Sequence, residues 1–182
     1  MIEALFRRAA IERTAIALLA VCLGPGGYTG LRVGVSAAKG LALGLGARIV
    51  GIERFAAEAW PLRAYPGPVV TVHSAGRGEY AWQLFRGGAA AGAAAIGPAA
   101  RLVASAPDRT LFAGEIDEEL ALLLTGRASL LGAAATRRPA VVAELAWRRL
   151  QSGDTDELAT LGPIYLREPV IGPARKTGAQ RA

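Results

Sequence analysis

The sequence has a single cysteine and a single histidine, and its lysines are confined to Lys39 and Lys176. Cys22 on its own closes no internal disulfide, which fits a reducing cytoplasm. With His73 as the sole imidazole, a Ser-His-Asp arrangement drawing on Ser36, Ser74 or Ser105 would depend on that one residue. One histidine and one cysteine leave only scattered carboxylates for a metal, so no metal site is expected. No apolar run of about 18 residues escapes a charge or a helix-breaking cluster, so no transmembrane span is expected. The opening MIEALFRRAAIERT carries acidic residues and lacks a small-residue cleavage site after an apolar core, which is not a secretory signal. The net charge of +6 favours a nucleic acid or an acidic partner. Because the basic residues are nearly all arginine in an alanine-rich chain, that balance reads as compositional bias rather than a built phosphate patch.

The 182 residues are 52% hydrophobic, enough for one compact domain or two small lobes. The stretch Gly24 to Gly46, GPGGYTGLRVGVSAAKGLALGLG, organises the rest. An apolar run from Ala15 to Leu23 precedes it and has the length of a buried strand. The glycine-proline turn ends the strand, and Thr29 is placed to cap the following helix. Leu31, Val35, Ala38, Leu41 or Ala42, and Leu45 give that helix one apolar face. The opposite side carries Val33, Ala37, Gly40 and Gly44. Glycine inside a soluble helix costs roughly 1 kcal/mol against alanine, so two on one face need a reason. Either the face packs inside its own domain or a second helix approaches it closely. The loop offers Gly26, Gly27, Thr29 and Gly30, with Arg32 nearby, for anion capture at the helix N-terminus. Neither nucleotide motif is complete: Thr29 replaces the third glycine of the dinucleotide fingerprint, and Lys39 stands between Ala38 and Gly40 without a Gly-Lys-Ser/Thr.

Elsewhere Ile2 to Ala10 has helical spacing. Arg48 to Ile52 reads as a strand and Phe55 to Leu62 as a helix. Pro66-Gly67-Pro68 marks a lobe boundary. Val69 to His73 and Glu79 to Arg86 read as a hairpin across Gly76-Arg77-Gly78. Gly87 to Ala95 reads as a flexible turn, Ile96 to Ala106 as a strand or a short helix, Thr110 to Ala113 as a strand, and Ile116 to Leu124 as a helix. Pro139 opens a helix that Gly153 ends.

GPGGYTGLR followed by AAKGLA resembles the signature of the TsaB (YeaZ) family, whose usual motif is GPGSFTGLR; Gly27 and Tyr28 are the departures. Pro163-Ile164-Tyr165-Leu166-Arg167 resembles the P-x-Y-L-R that closes such chains. The hairpin turn Ser74 to Glu79 keeps Arg77, Gly78 and Glu79 of the family's D-A-R-R-G-E and replaces its first aspartate and first arginine. The resemblance implies an α/β protein of the actin-like ATPase (RNase H-like) fold with two lobes. It divides the chain into a truncated first lobe at 1–66, a second lobe at 67–167 and a disordered tail at 168–182. The family's three N-terminal strands are not in this sequence, so the strand ending at Leu23 is expected to have an open ladder edge. By resemblance the chain is a non-catalytic scaffold in threonylcarbamoyl-adenosine modification of tRNA, needing no cofactor. Its implied partners are a TsaD-type catalytic subunit and, through the complex, a TsaE-type ATPase, with tRNA met indirectly and a homodimer allowed. Leu5 and Arg8 of the first helix, with Val33, Ala37, Gly40 and Gly44, are the expected interface, the two helices docking on a matching pair. The alternatives are a glycoprotease-like peptidase or an ATPase of the same fold, or an inactive paralogue.

Overall fold

The computed structural model describes residues 2–126, 129–132 and 138–167. The chain opens with α1 (Ile2–Ala9), passes a 3-10 turn at Arg13–Ala15, and enters β1 (Leu18–Gly24). It continues through α2 (Tyr28–Leu45), β2 (Arg48–Glu53) and α3 (Arg54–Ala59). β1 and β2 pair in parallel, Leu18 opposite Arg48 through Cys22 opposite Ile52, with a bulge before Gly24. Parallel neighbours need a crossover, and α2 is that crossover. Alternation along each strand sends side chains to two different layers. Val21, Leu23 and Ile49 pack with Val35 and Ala42 of α2, whereas Val50 and Ile52 face the other way. Both faces are therefore covered, which is why the strand reads as a continuous apolar run. Among the described residues β1 has no strand neighbour besides β2.

The second sheet runs β3 (Val69–Gly76), β4 (Glu79–Arg86), β5 (Ala89–Ala90), β6 (Ala95–Pro98), α4 (Ala99–Ser105), β7 (Leu111–Gly114), α5 (Glu118–Leu124) and β8 (Ser129–Gly132). Its order is β5-β4-β3-β7-β8, and β6 also pairs with β4. One face packs Val70, Val72, Tyr80, Trp82 and Phe112 against Leu102 of α4 and Leu120 and Leu124 of α5. The other packs Val69, Ala81 and Phe85 against Phe55 and Ala59. Helix α3 thus lies between the two sheets. Asp117 caps α5 by accepting the Leu120 N–H at 2.9 Å, and it also accepts the Tyr80 hydroxyl. That pair of bonds holds the Asp117 carboxyl below the usual range, the tyrosine bond contributing most. Burial, then the bond to Asp117, pushes the Tyr80 phenol up.

Chain order is not layer order. The sequence division assigns residues 67–167 to a second lobe, yet α6 (Pro139–Gln151) returns to the first sheet. Val141 and Ala146 bury against Val50, Ile52 and Ala57. Arg149 fastens the helix end there, donating to Gly51 O at 2.7 Å and to Asp154 and Asp156. Asp156 in turn accepts the Gly51 N–H at 2.8 Å. Local periodicity contains no signal for such a return.

Other differences are smaller. α2 begins at Tyr28 with Gly27 at its N-cap and no side-chain cap, so Thr29 lies inside the first turn instead of capping it. The ambiguous stretch from Ile96 divides at Pro98 into β6 and α4. The Gly/Ala stretch contains β5, and β8 was not foreseen. Cys22 is half-buried. The tail at 168–182 lies outside the described residues. No helix among them is long and apolar enough to cross a membrane.

Candidate functional site

Two surfaces are built by the central stretch. The first is a cleft of about 640 Å³ between the glycine loop and the β3–β4 hairpin. Gly26, Gly27 and Tyr28 form one wall, His73 to Arg77 another, and Ile164 to Arg167 a third. Arg77 and Gly78, both at positive φ (59° and 73°), make the two-residue turn that joins β3 to β4. Positive φ at both positions matches the strand twist, and it leaves Arg77 exposed at the cleft.

Charged residues line the wall of this cleft. Arg54 donates to Glu58 Oε1 at 3.2 Å, to Glu115 Oε1 at 3.0 Å and to the Pro25 carbonyl at 3.4 Å. Glu115 accepts the Ser74 N–H at 2.9 Å. Glu58 is 2% exposed, and its second oxygen lies 3.3 Å from His73 Nε2. The imidazole also stacks on Phe55, centroids 4.9 Å apart. A carboxylate withdrawn from water needs such partners. One guanidinium thereby connects the glycine loop, α3 and the strand end after β7. His73 belongs to this network, and Ser74 Oγ accepts the Gly76 N–H at 3.4 Å. Ser36 is exposed on α2, and Ser105 donates to Leu102 O at the end of α4.

The second surface is the outer side of α2. Val33 is 64% and Leu43 75% exposed, and Ala37, Gly40 and Gly44 are exposed with them. A Cβ built on Gly30, Gly34, Gly40 or Gly44 would meet nothing within 4 Å. The small-residue face therefore packs against no described part of this chain, and the intradomain explanation for its glycines fails. Leu5 is 58% exposed, Arg8 is exposed too, and α1 buries none of its residues. The bonds α1 makes run to its own linker, through Glu3 with Arg13 and Ile11 N–H with Phe6 O.

The loop residues expected to hold an anion separate into two groups. Gly26 and Gly27 line the cleft; Thr29, Gly30 and Arg32 do not. Arg32 lies over the Tyr28 ring at 4.5 Å and donates to the Tyr165 hydroxyl at 3.0 Å, the bond that chiefly raises its pKa. The two sequence motifs are thus in contact, since Tyr28 and Tyr165 rings lie 5.1 Å apart.

Among solved structures, the chain is similar to two from Pseudomonas aeruginosa. One is an uncharacterised protein with similarity to peptidase YEAZ: 24% identity, TM-score 0.76, covering 92% of this chain and 81% of that one. The other is YeaZ: 22% identity, TM-score 0.75, covering 90% and 81%. At these identities the likeness is one of fold. No curated protein matches the sequence. Residues 1–146 match the family described as TsaD: tRNA N6-adenosine threonylcarbamoyltransferase. The chain belongs to this family. Within the TsaD family description, its YeaZ-like fold supports the TsaB (YeaZ) resemblance read from Gly24 to Arg32 and from Pro163 to Arg167. The actin-like α/β fold expected from that resemblance is the fold observed.

For a member of the TsaD family, the site residues that sequence reasoning missed are Arg54, Glu58 and Glu115. Arg54 and Glu58 form an i,i+4 pair, a readable signal. Glu115 follows the glycine that ends β7, and nothing local marks it as a partner of Arg54 sixty-one residues earlier.

Proposed function

We propose that this chain is a non-catalytic subunit in the threonylcarbamoyl modification of tRNA adenosine, docking through the outer face of α2 on a TsaD-type catalytic subunit. The observation that carries this is the set of helix glycines with open space in front of them. Each weakens the helix by roughly 1 kcal/mol relative to alanine, and no internal contact offsets that. A helix from a partner, approaching backbone-close over Val33, Ala37, Gly40 and Gly44, does. Leu5 and Arg8 of α1 stand free to join the same contact. A TsaE-type ATPase joins through the complex, tRNA is met through the catalytic subunit, and the setting is the cytoplasm.

The scaffold role is further supported by the chemistry of the cleft. Its one imidazole is buried against Glu58 and Phe55.

Reconstitution tests the proposal. The purified chain alone is expected to show neither peptidase activity nor appreciable ATP hydrolysis, and modification of tRNA is expected only when the catalytic subunit and ATPase are added. Turnover by the chain alone that His73→Ala or Thr29→Ala abolishes would overturn it.

A further inference from the structure

The start of α2 has little to hold it from within. Its N-cap is Gly27 with no side-chain cap, and its first two turns contain Gly30 and Gly34. Both are poor helix positions, and a helix end without caps leaves its first amides to water. Yet these turns begin the face proposed above for docking. Two of their side chains meet one distant residue: the Tyr28 ring lies 5.1 Å from that of Tyr165, tilted by 33°, and Arg32 donates to the Tyr165 hydroxyl at 3.0 Å. The segment around Tyr165 is itself anchored along α2 and β1. Lys39 Nζ donates to Leu161 O at 3.0 Å, and the Ile164 N–H donates to Leu23 O at 2.8 Å. Leu158, Leu161 and Ile164 pack into the cluster that contains Val35 and Ala42. Beyond it, Arg167 pairs with Glu79 of β4.

We infer that the segment Glu157 to Arg167 is a clasp on α2, and that Tyr165 is the positioning residue that keeps the first two turns helical and the docking face preformed. The clasp touches α2 on its inner flank and first turn, so it acts on docking through the helix and not by meeting the partner. This deepens the docking proposal and rests on it for the binding half; the helix half stands by itself. It also accounts for the contact between motifs that are more than 130 residues apart: one supplies a weak helix start and the other its support.

Hydrogen exchange on the full chain separates the two halves. Tyr165→Ala should speed exchange of the amides from Leu31 to Val35 by about tenfold, the scale of losing a ring contact together with a hydrogen bond to a charged group. Amides of β4 should be unchanged. Tyr165→Phe, which keeps the ring, should have a smaller effect. Gly34→Ala, placed in open space, should recover about fivefold protection in the Tyr165→Ala background. Affinity for a TsaD-type subunit should fall severalfold in Tyr165→Ala and recover in the double variant. Unchanged exchange from Leu31 to Val35 in Tyr165→Ala overturns the clasp. Faster exchange with unchanged affinity overturns its role in docking. A wild-type chain that does not bind the subunit at all defeats the docking proposal, while the exchange result still decides the clasp.

Discussion

Two sets of glycines in this chain behave in opposite ways. At Gly51 a Cβ would lie 2.5 Å from Leu23 Cδ1, and at Gly114 it would lie 2.2 Å from the Val72 carbonyl oxygen, at a φ of 118°. On α2, a Cβ at Gly30, Gly34, Gly40 or Gly44 would meet nothing within 4 Å. The sheet glycines are required by the chain's own packing. The helix glycines face open space among the described residues, and the docking proposed above gives them a reason. The contrast separates residues that make the fold from residues that use it.

Substitution at each set should break or sharpen that contrast, and the effects fall in a clear order. Gly114→Ala combines a backbone clash with a left-handed φ that disfavours any side chain. It should cost about 4 kcal/mol or more, the exceptional range for a single substitution, and thermal unfolding would show it. Gly51→Ala meets the end of a leucine side chain, which can yield in part. A cost of about 1–3 kcal/mol is expected from overpacking, read from the denaturant midpoint. Gly34→Ala and Gly44→Ala should go the other way, stabilising the isolated chain by up to about 1 kcal/mol each, a rise of a few degrees in Tm. If these helix variants lose stability as the sheet variants do, the two sets are not different.

The same contrast separates what was legible in the sequence from what was not. The β1–α2–β2 crossover, the β3–β4 hairpin and the helices after Asp117 and at Pro139 follow from local patterns of apolar spacing, turn glycines and caps. The glycine face of α2 was legible too, because an unfavourable residue at helical spacing is itself a signal. Thr29 reads as a cap, but the loop ends at Gly27, which leaves the threonine two residues past the cap position and inside the first turn. Arg32 reads as an aid to the anion loop, and its bond to Tyr165, distant in sequence, has no local signal. The return of α6 to the first sheet and the union of Arg54, Glu58, His73 and Glu115 depend on long-range packing, which no local period encodes.

A smaller effect concerns charge. In the folded chain the Asp117 carboxyl is held low by the Tyr80 hydroxyl and then by the Leu120 N–H. Its contribution is therefore present above the unfolded carboxyl value of about 3.9 and lost as pH falls through the folded value. Tyr80 is shifted up, so its contribution is present below about pH 10 and lost above it. Tyr80→Phe should remove the alkaline loss entirely and part of the acid-side dependence, as followed by urea unfolding across pH. Since Asp117 is solvent-exposed, the acid effect should be well under that of either sheet glycine.

Affinity for a TsaD-type catalytic subunit, measured by calorimetry on wild type and Gly40→Leu side by side, tests the central claim most directly. The account predicts that Gly40→Leu folds with wild-type stability or better, because its side chain enters open space, and yet binds at least tenfold more weakly, as about 1.4 kcal/mol of steric exclusion at a close helix contact would produce. A folded Gly40→Leu chain that binds as tightly as wild type would contradict it.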